Sequence, residues 1–465
     1  MSLDQGRNDA AAEIRALDQR HVLHPWAHFA SHEKDGALVV AQGRGCELTD
    51  ANGKSYLDAV GGMWCTNIGL GREEMAKAIS DQVMELAYCN TFGDMTNEPS
   101  TRLAEKLAEL APGDLNRVHL TTCGSTAVDS AYRLIGYYHY CNGNPDKTHV
   151  IARDQAYHGS TFLTMSIGNK KSDKVTEFQY MREGIHHLSA PHFYRAPDNM
   201  TEAEFCDSLI AEFEAKIAEI GPEKVGGYFA EPILASGGVM VPPAGYNRRM
   251  WEVCKKHGIL YVSDEVVTAF GRLGHWFASE SEFGIQPDII TSAKGLSSGY
   301  LPLGAMIYSD RIHDVISNGE DRMFTSGYTY SGHPVSCAAA LKNIEIMERE
   351  GLLQNATDVG QYFEDRLATL HDLEIVGNIR GKKLMMCVEN VKDKVTKELF
   401  SDEVNIGKRI ADAAEEMGLL VRPIGHLNVM SPPLTLTRTD VDFLVETLRT
   451  AIIQVTNTLR AEGHM

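Results

Sequence analysis

From about residue 72 onward the chain alternates short apolar runs with segments of helical spacing, and this alternation restricts the fold more than any other feature. Thr148–Asp154, Val225–Glu231, Gly258–Asp264, Asp288–Ala293 and Leu303–Tyr308 have the length expected of buried parallel strands. Arg117–Thr122 reads as a further strand that feeds straight into a helix over Thr126–Tyr140. Apolar residues recur at helical spacing in Glu73–Ala87, Glu98–Leu110, Ala203–Ile220 and Tyr246–His257. Strands alternating with helices predict an α/β fold with a mostly parallel sheet covered by helices. Pro334–Arg349 then reads as a long helix, and mixed strands and helices run on to the end. Upstream, an aromatic-rich stretch with Trp26, Phe29 and Trp64 surrounds the hairpin signal Asp50-Ala51-Asn52-Gly53. The expected division is a segment over 1–71 that packs with the small domain, a large domain over 72–330 and a smaller α/β domain over 331–465.

A chain of 465 residues suffices for two packed domains. Its 43% hydrophobic and 23% charged content is ordinary for a soluble globule. The formal net charge of −19 argues against nucleic acid or an anionic membrane as partner, because both require a basic footprint. Any anionic ligand must instead be held by local cations and backbone amides. The nine cysteines show no C-x-x-C and no Cys/His quartet, so they read as reduced thiols of a cytoplasmic protein, and no metal site is expected. No apolar run approaches the roughly 18 residues of a membrane span. The polar stretch Met1–Asp18 is expected to be neither a signal peptide nor an anchor.

Four positions carry chemistry. Lys294 follows an apolar strand and precedes Gly295, Ser297, Ser298 and Gly299; a lysine at a strand end in apolar surroundings can lose its proton and become a nucleophile. Asp264 ends the strand one strand–helix–strand unit upstream, and ligands of open parallel sheets sit beyond such carboxyl ends. A carboxylate there can keep a pyridine nitrogen protonated. Gly124-Ser125-Thr126-Ala127 joins a strand to a helix, where small residues and a helix N-terminus suit an anion. It is neither a P-loop nor a complete G-x-G-x-x-G, so nucleotide binding is not supported. Tyr157-His158-Gly159 places an aromatic ring at a strand end, where it can stack on a flat heterocycle. Taken singly, each has an ordinary explanation: a solvated lysine, two helix caps and a core tyrosine.

In this order and spacing they resemble the class III aminotransferases of fold type I, which use pyridoxal 5′-phosphate. The resemblance runs from LDAVGGMWC (Leu57–Cys65) to VRPIGH (Val421–His426), and rests most on DEVVTAFGR (Asp264–Arg272) with AKGLSSGYLPLGA (Ala293–Ala305). Ser-Ser-Gly-Tyr after the lysine is most similar to the branch that transfers amino groups from amines or ω-amino acids to pyruvate. The resemblance implies a large domain built on a seven-stranded sheet. It implies that Lys294 binds the cofactor covalently and moves the substrate proton as general base and acid, and that Asp264 pairs with the ring nitrogen. Tyr157 would stack on one face of the ring and Val266 on the other. Gly124 and Ser125 would hold the phosphate, and His158 and Glu231 would support the site.

The segment Gly327-Tyr328-Thr329-Tyr330-Ser331-Gly332-His333-Pro334 resembles one donated by a neighbouring subunit, with Thr329 reaching the partner's phosphate. The active unit is then a homodimer with shared sites, or a tetramer of such pairs. For substrate, the resemblance implies Met63, Trp64, Phe92 and Tyr157 as walls, Ser236 nearby and Tyr328 from across the interface. Arg422 matches a mobile arginine that takes the keto-acid carboxylate, since a guanidinium fork suits a carboxylate. Gly93 stands where a bulky residue is common and Ser236 where alanine or threonine is, which affects pocket size rather than reaction class. Candidate donors are β-alanine, taurine, a diamine such as putrescine or an arylalkylamine, with S preference. Rival readings are an aminomutase of the glutamate-1-semialdehyde type, an ω-aminotransferase using 2-oxoglutarate, a PLP-binding regulator and a nicotinamide dehydrogenase. The regulator would need a DNA-binding module and the dehydrogenase a phosphate fingerprint, and neither is found in the sequence.

Overall fold

Three sheets organise residues 3–465, the part of the chain that this computed structural model describes. Met1 and Ser2, the first residues of the polar N-terminal stretch, lie outside the described residues. Two helices, Leu3–His21 and Phe29–Asp35, come first. β1 (Val40–Arg44), β2 (Glu47–Asp50) and β3 (Ser55–Asp58) then form an antiparallel meander. The β2–β3 turn closes as its sequence predicts. Asp50 Oδ1 accepts from the amides of Asn52 and Lys54, both at 2.9 Å, while Gly53 adopts φ +91°.

The central sheet contains β4 (Leu115–Thr121), β5 (His149–Arg153), β6 (Ile185–Leu188), β7 (Val225–Ala230), β8 (Leu260–Asp264), β9 (Ile289–Ser292) and β10 (Gly304–Ser309). Their order is β4-β10-β9-β8-β7-β5-β6. Pairing is parallel throughout β9-β8-β7-β5-β6, whereas β10 is antiparallel to both β4 and β9. The sequence reading placed Leu303–Tyr308 among the parallel strands. After β9, however, there is only a 3₁₀ turn over Lys294–Leu296 and a short loop, too little chain for a helical crossover, so the chain reverses. β6 has no apolar run to announce it, since two histidines occupy its middle.

Both faces of this sheet are covered, and the pleat divides the core. Phe229 of β7 and Val262 of β8 pack with Val128 and Ile135 of helix Gly124–Cys141. Their neighbours Tyr228 and Tyr261 pack on the other face with Phe213 of helix Glu202–Ile220 and Met250 of helix Tyr246–His257.

The remaining strands are β11 (Val376–Lys382), β12 (Met385–Asn390), β13 (Leu419–Leu420), β14 (Arg422–Ile424) and β15 (Leu427–Met430). β11-β12-β15-β14 form an antiparallel sheet, while β13 joins the N-terminal sheet by pairing parallel with β3, Leu419 opposite Leu57. That pairing sets the start of the Leu57–Cys65 segment beside the start of the Val421–His426 segment, although most of the chain separates them. No helix among the described residues is long and apolar enough to cross a membrane, and all nine cysteines are unpaired.

Candidate active site

Residues beyond the carboxyl ends of β4, β5, β7, β8 and β9 converge on one edge of the central sheet. Lys294 opens the 3₁₀ turn after β9 with φ +45°, a left-handed conformation that costs an L residue roughly 1–2 kcal/mol. Helix Pro334–Arg349 holds the turn in place. Asn343 Nδ2 donates to the carbonyls of Gly295 (2.9 Å) and Leu296 (3.0 Å), and Ser298 Oγ donates to Asn343 Oδ1 at 2.6 Å. Lys294 Nζ lies 5.6 Å from the centroid of the Trp64 ring. Burial lowers the lysine's pKa below its ordinary range, opposed by the charges of Asp264, Cys65 and Glu231.

Asp264, the last residue of β8, is buried and tethered by both oxygens. His158 Nδ1 lies 2.7 Å from Oδ2, and Oδ1 accepts from the Val266 amide at 3.2 Å. Glu231, just past β7, accepts from the amides of Tyr157 (3.0 Å) and Ala235 (2.8 Å). It therefore fixes the backbone on which Tyr157 and His158 are mounted. Burial raises the pKa of Glu231 above the usual carboxylate range, with His158 and the two amides opposing. Tyr157 is also raised by burial, and its hydroxyl shares a hydrogen bond of 2.9 Å with Ser160 Oγ.

The helix expected to begin at Thr126 begins two residues earlier, with Cys123 as N-cap and Gly124 and Ser125 in its first turn. Ser125 Oγ accepts from the Ser160 amide at 3.0 Å, which ties this helix start to the loop after β5. Space here is tight enough to dictate residue type. A β-carbon on Gly124 would come within 2.9 Å of Val266 Cγ2, and one on Gly159, at φ +134°, within 2.5 Å of Ser125 Oγ.

Trp64 and Met63 reach the site through a tight turn. The Asp58 carboxylate accepts from the amides of Val60 (2.9 Å), Gly61 (3.0 Å) and Gly62 (2.7 Å), and Trp64 follows at φ +61°. Arg422, the first residue of β14, donates from Nη1 to Met63 Sδ. Burial lowers its pKa, with Asp173 and Tyr157 opposing. Ser236 Oγ is buried without a hydrogen-bond partner, in the loop whose start Glu231 secures.

Phe92, expected as a pocket wall, and Tyr328 and Thr329, expected at an interface, fall together elsewhere. Phe92 lies beside Gly327, whose β-carbon would be 3.3 Å from Phe92 Cζ, so it groups with the segment after β10. Tyr328 donates from its hydroxyl to the Thr126 carbonyl at 3.2 Å, and the Thr329 carbonyl accepts from Tyr88 at 2.9 Å. Tyr328 thus touches the first turn of the helix that carries Gly124 and Ser125 in its own chain. Sequence reasoning missed Trp26 as a site residue, along with Ser160, Asn343 and Asp173. Trp26 presents its ring edge-on to Tyr157, centroids 6.0 Å apart. Nothing in the spacing of Trp26 could have signalled a contact so distant along the chain.

These residues fit pyridoxal phosphate. A helix start kept clear of side chains by Gly124 suits a phosphate, a doubly tethered carboxylate at the end of β8 suits a pyridinium, and a desolvated lysine stands by Trp64. His158 Nε2 and Trp64 Nε1 are buried with no partner, so polar capacity remains for a bound group.

Comparison with known proteins agrees in kind. Residues 29–452 match the family model described as aminotransferase class-III. The chain is 36% identical over 448 residues to a putrescine–pyruvate aminotransferase of Pseudomonas aeruginosa, covering 96% of this chain and 97% of that protein. It is 37% identical over 456 residues to a diaminobutyrate–2-oxoglutarate transaminase of Halomonas elongata, again covering 96% and 97%. The crystal structure of a thermostable (S)-enantioselective ω-transaminase from Thermomicrobium roseum superposes with a TM-score of 0.93 at 39% identity, over 96% of this chain and 98% of that one.

Proposed function

The chain belongs to the class-III aminotransferases, and we propose that within them it carries an amino group from a primary amine or ω-amino acid to pyruvate, giving alanine and an aldehyde or ketone. Members of this family use pyridoxal 5′-phosphate, which supplies an electron sink that acidifies the substrate carbon bearing the nitrogen. In this reading Lys294 holds the cofactor, and its Nζ, favoured in the neutral form by burial, accepts the proton from that carbon and later returns one. Asp264, with His158 fixing Oδ2, is the partner for the ring nitrogen. Glu231 keeps Tyr157 in stacking position through its amide, and Val266 packs opposite. Gly124 and Ser125 offer helix-start amides to the phosphate.

Arg422 carries the assignment of the acceptor. Its guanidinium is partly buried beside Met63, and among the described residues it hydrogen-bonds a thioether rather than a carboxylate. A desolvated, unpaired fork at a pocket wall is suited to a keto-acid carboxylate. The flanking Met63, Trp64, Trp26 and Tyr157 suit an apolar amine, so one pocket serves both half-reactions. Donors of the β-alanine, taurine, putrescine and arylalkylamine types are the ones to test, with S preference among chiral amines. The active unit in this reading is a homodimer, or a tetramer of such pairs. Tyr328 and Thr329 complete the partner's site, and Phe92, packed beside Gly327, goes with them.

Arg422→Ala tests the acceptor. Charge-assisted hydrogen bonds contribute about 1.5–3 kcal/mol, so KM for pyruvate is expected to rise about 10- to 100-fold while kcat/KM for an arylalkylamine changes far less. Equal losses for both substrates, or full wild-type turnover with 2-oxoglutarate in place of pyruvate, overturn the reading. Product formed with no added keto acid would favour the aminomutase.

A further inference from the structure

The N-terminal helices carry a side-chain cluster that the active site does not use. Helix Leu3–His21 and helix Phe29–Asp35 lie side by side. Gln19 Nε2 donates to the carbonyls of His32 and Glu33, both at 3.0 Å, and Arg15 Nε to that of Ala37 at 3.2 Å. Where they meet, Asp18, His24 and His32 converge. His24 Nε2 is 2.8 Å and 2.9 Å from the two Asp18 oxygens, and His32 Nε2 is 3.4 Å from Oδ2. The two rings are 4.5 Å apart between centroids, and all three donor atoms lie within 4.8 Å of one another.

A simple hydrogen-bonded triad does not account for this arrangement. His24 is satisfied by Asp18, but His32 Nε2 is buried with no hydrogen-bond partner although it lies 3.4 Å from the same carboxylate. A buried nitrogen left unpaired costs about 1–3 kcal/mol. Two imidazole nitrogens and a carboxylate oxygen within 4.8 Å of one another are a donor set that suits zinc. Zinc binds such atoms at about 2.0–2.2 Å in tetrahedral geometry, which separates neighbouring donors by roughly 3.3–3.5 Å. Measured from the single oxygen Oδ2, the N–O separations of 2.9 Å and 3.4 Å reach that range with shifts of a few tenths of an ångström, and the two nitrogens lie within 4.8 Å of each other.

We propose that Asp18, His24 and His32 bind one zinc ion per chain, with water as fourth ligand. The sequence expects no metal, because this spacing matches no familiar motif and only the packing of the two helices gathers the residues. The site also has a consequence for the pocket. Trp26 lies between the two histidines in the chain, and its ring meets Tyr157. Zinc would therefore clamp the loop that brings an aromatic wall to the cofactor. The zinc site is independent of the pyruvate assignment; only its effect on the pocket rests on that reading.

The test uses holoenzyme freed of unbound cofactor by gel filtration and of metal by chelator, titrated calorimetrically with zinc chloride. Wild type and His21→Ala, a change at an exposed neighbouring histidine, are expected to bind one zinc per chain. His24→Ala and His32→Ala are expected to weaken binding roughly 100-fold or more, beyond the 10- to 100-fold typical for groups that only orient metal ligands. Asp18→Asn, which keeps shape and size, serves if circular dichroism shows that either alanine variant loses helix. Zinc should also slow proteolytic cleavage between residues 22 and 28 in wild type and not in His32→Ala. Failure of wild type to bind zinc at micromolar concentration overturns the proposal, as does unchanged affinity in the His24, His32 and Asp18 variants.

Discussion

Lys294 is set apart by its position. A lysine on a loop is ordinarily solvated and protonated, whereas here the turn after β9 is held in a left-handed conformation by Asn343, and burial depresses the ammonium. Gly124 shows the same dependence on surroundings. Its backbone could accept a side chain, but the space belongs to Val266. Gly124→Ala is therefore expected to push Val266 toward the ring site, costing about 1–2 kcal/mol as an overpacked contact. Titration of apoenzyme with pyridoxal phosphate should show roughly tenfold weaker binding. Adding Val266→Ala should recover part of the loss; no recovery would mean that Gly124 matters for its amide rather than for its lack of a β-carbon.

Among the elements, the β11–β12 hairpin has the most consequential polar core. Glu389 of β12 is fully buried among Arg380 of β11, Arg195 of the 3₁₀ turn Phe193–Arg195, and His426 of the β14–β15 turn. Arg380 Nε also donates to the Gly238 carbonyl at 2.7 Å, which links this hairpin to the loop carrying Ser236. Burial alone would raise the Glu389 carboxyl. The hydrogen bond from His426 and the charges of Arg380 and Arg195 outweigh it and hold the group well below its ordinary value of 4.5. A depressed carboxyl contributes stability that is complete above its unfolded pKa and fades as pH falls toward the folded one. Glu389→Gln is thus expected to cost about 3 kcal/mol near neutrality. The gap in thermal midpoint between variant and wild type should hold from pH 7 to 5 and narrow below about pH 4.5. A gap that instead widens with acid would show that Glu389 is not the group being titrated.

At the scale of the whole molecule, the surface around residues 84–95 and 323–333 is unusually apolar for a face in water. Met84 is 84% exposed and Met323 71%. Tyr88, Tyr330 and His333 form a ring cluster with centroids 5.9–6.2 Å apart. In the proposed dimer this apolar surface, which includes the Phe92 and Thr329 region, is the interface. Light scattering is expected to give twice the chain mass or a multiple of it. Lys294→Ala and Thr329→Ala, each of low activity alone, should regain activity when unfolded and refolded together. One of the two sites in each hybrid then has an intact lysine from one chain and an intact threonine from the other. Hybrids no more active than the parents would place Thr329 outside the partner's site.

What the sequence by itself determined is what local chemistry and periodicity encode. Short apolar runs alternating with helical spacing gave a helix-covered, mostly parallel sheet. The strand ends named Asp264, Lys294, Tyr157 and the Gly124 helix start, because a strand that ends in a polar residue announces an edge. The tertiary structure decided whatever depends on distant chain segments meeting. It reversed β10, because the connection after β9 is too short to cross over. It mounted Tyr157 on Glu231, tied Asp264 to His158, and brought Arg422 to Met63 by pairing β13 with β3. It set Phe92 beside Gly327 and Trp26 against Tyr157. Periodicity reports which face of an element is buried; only the packed chain reports what that face is buried against.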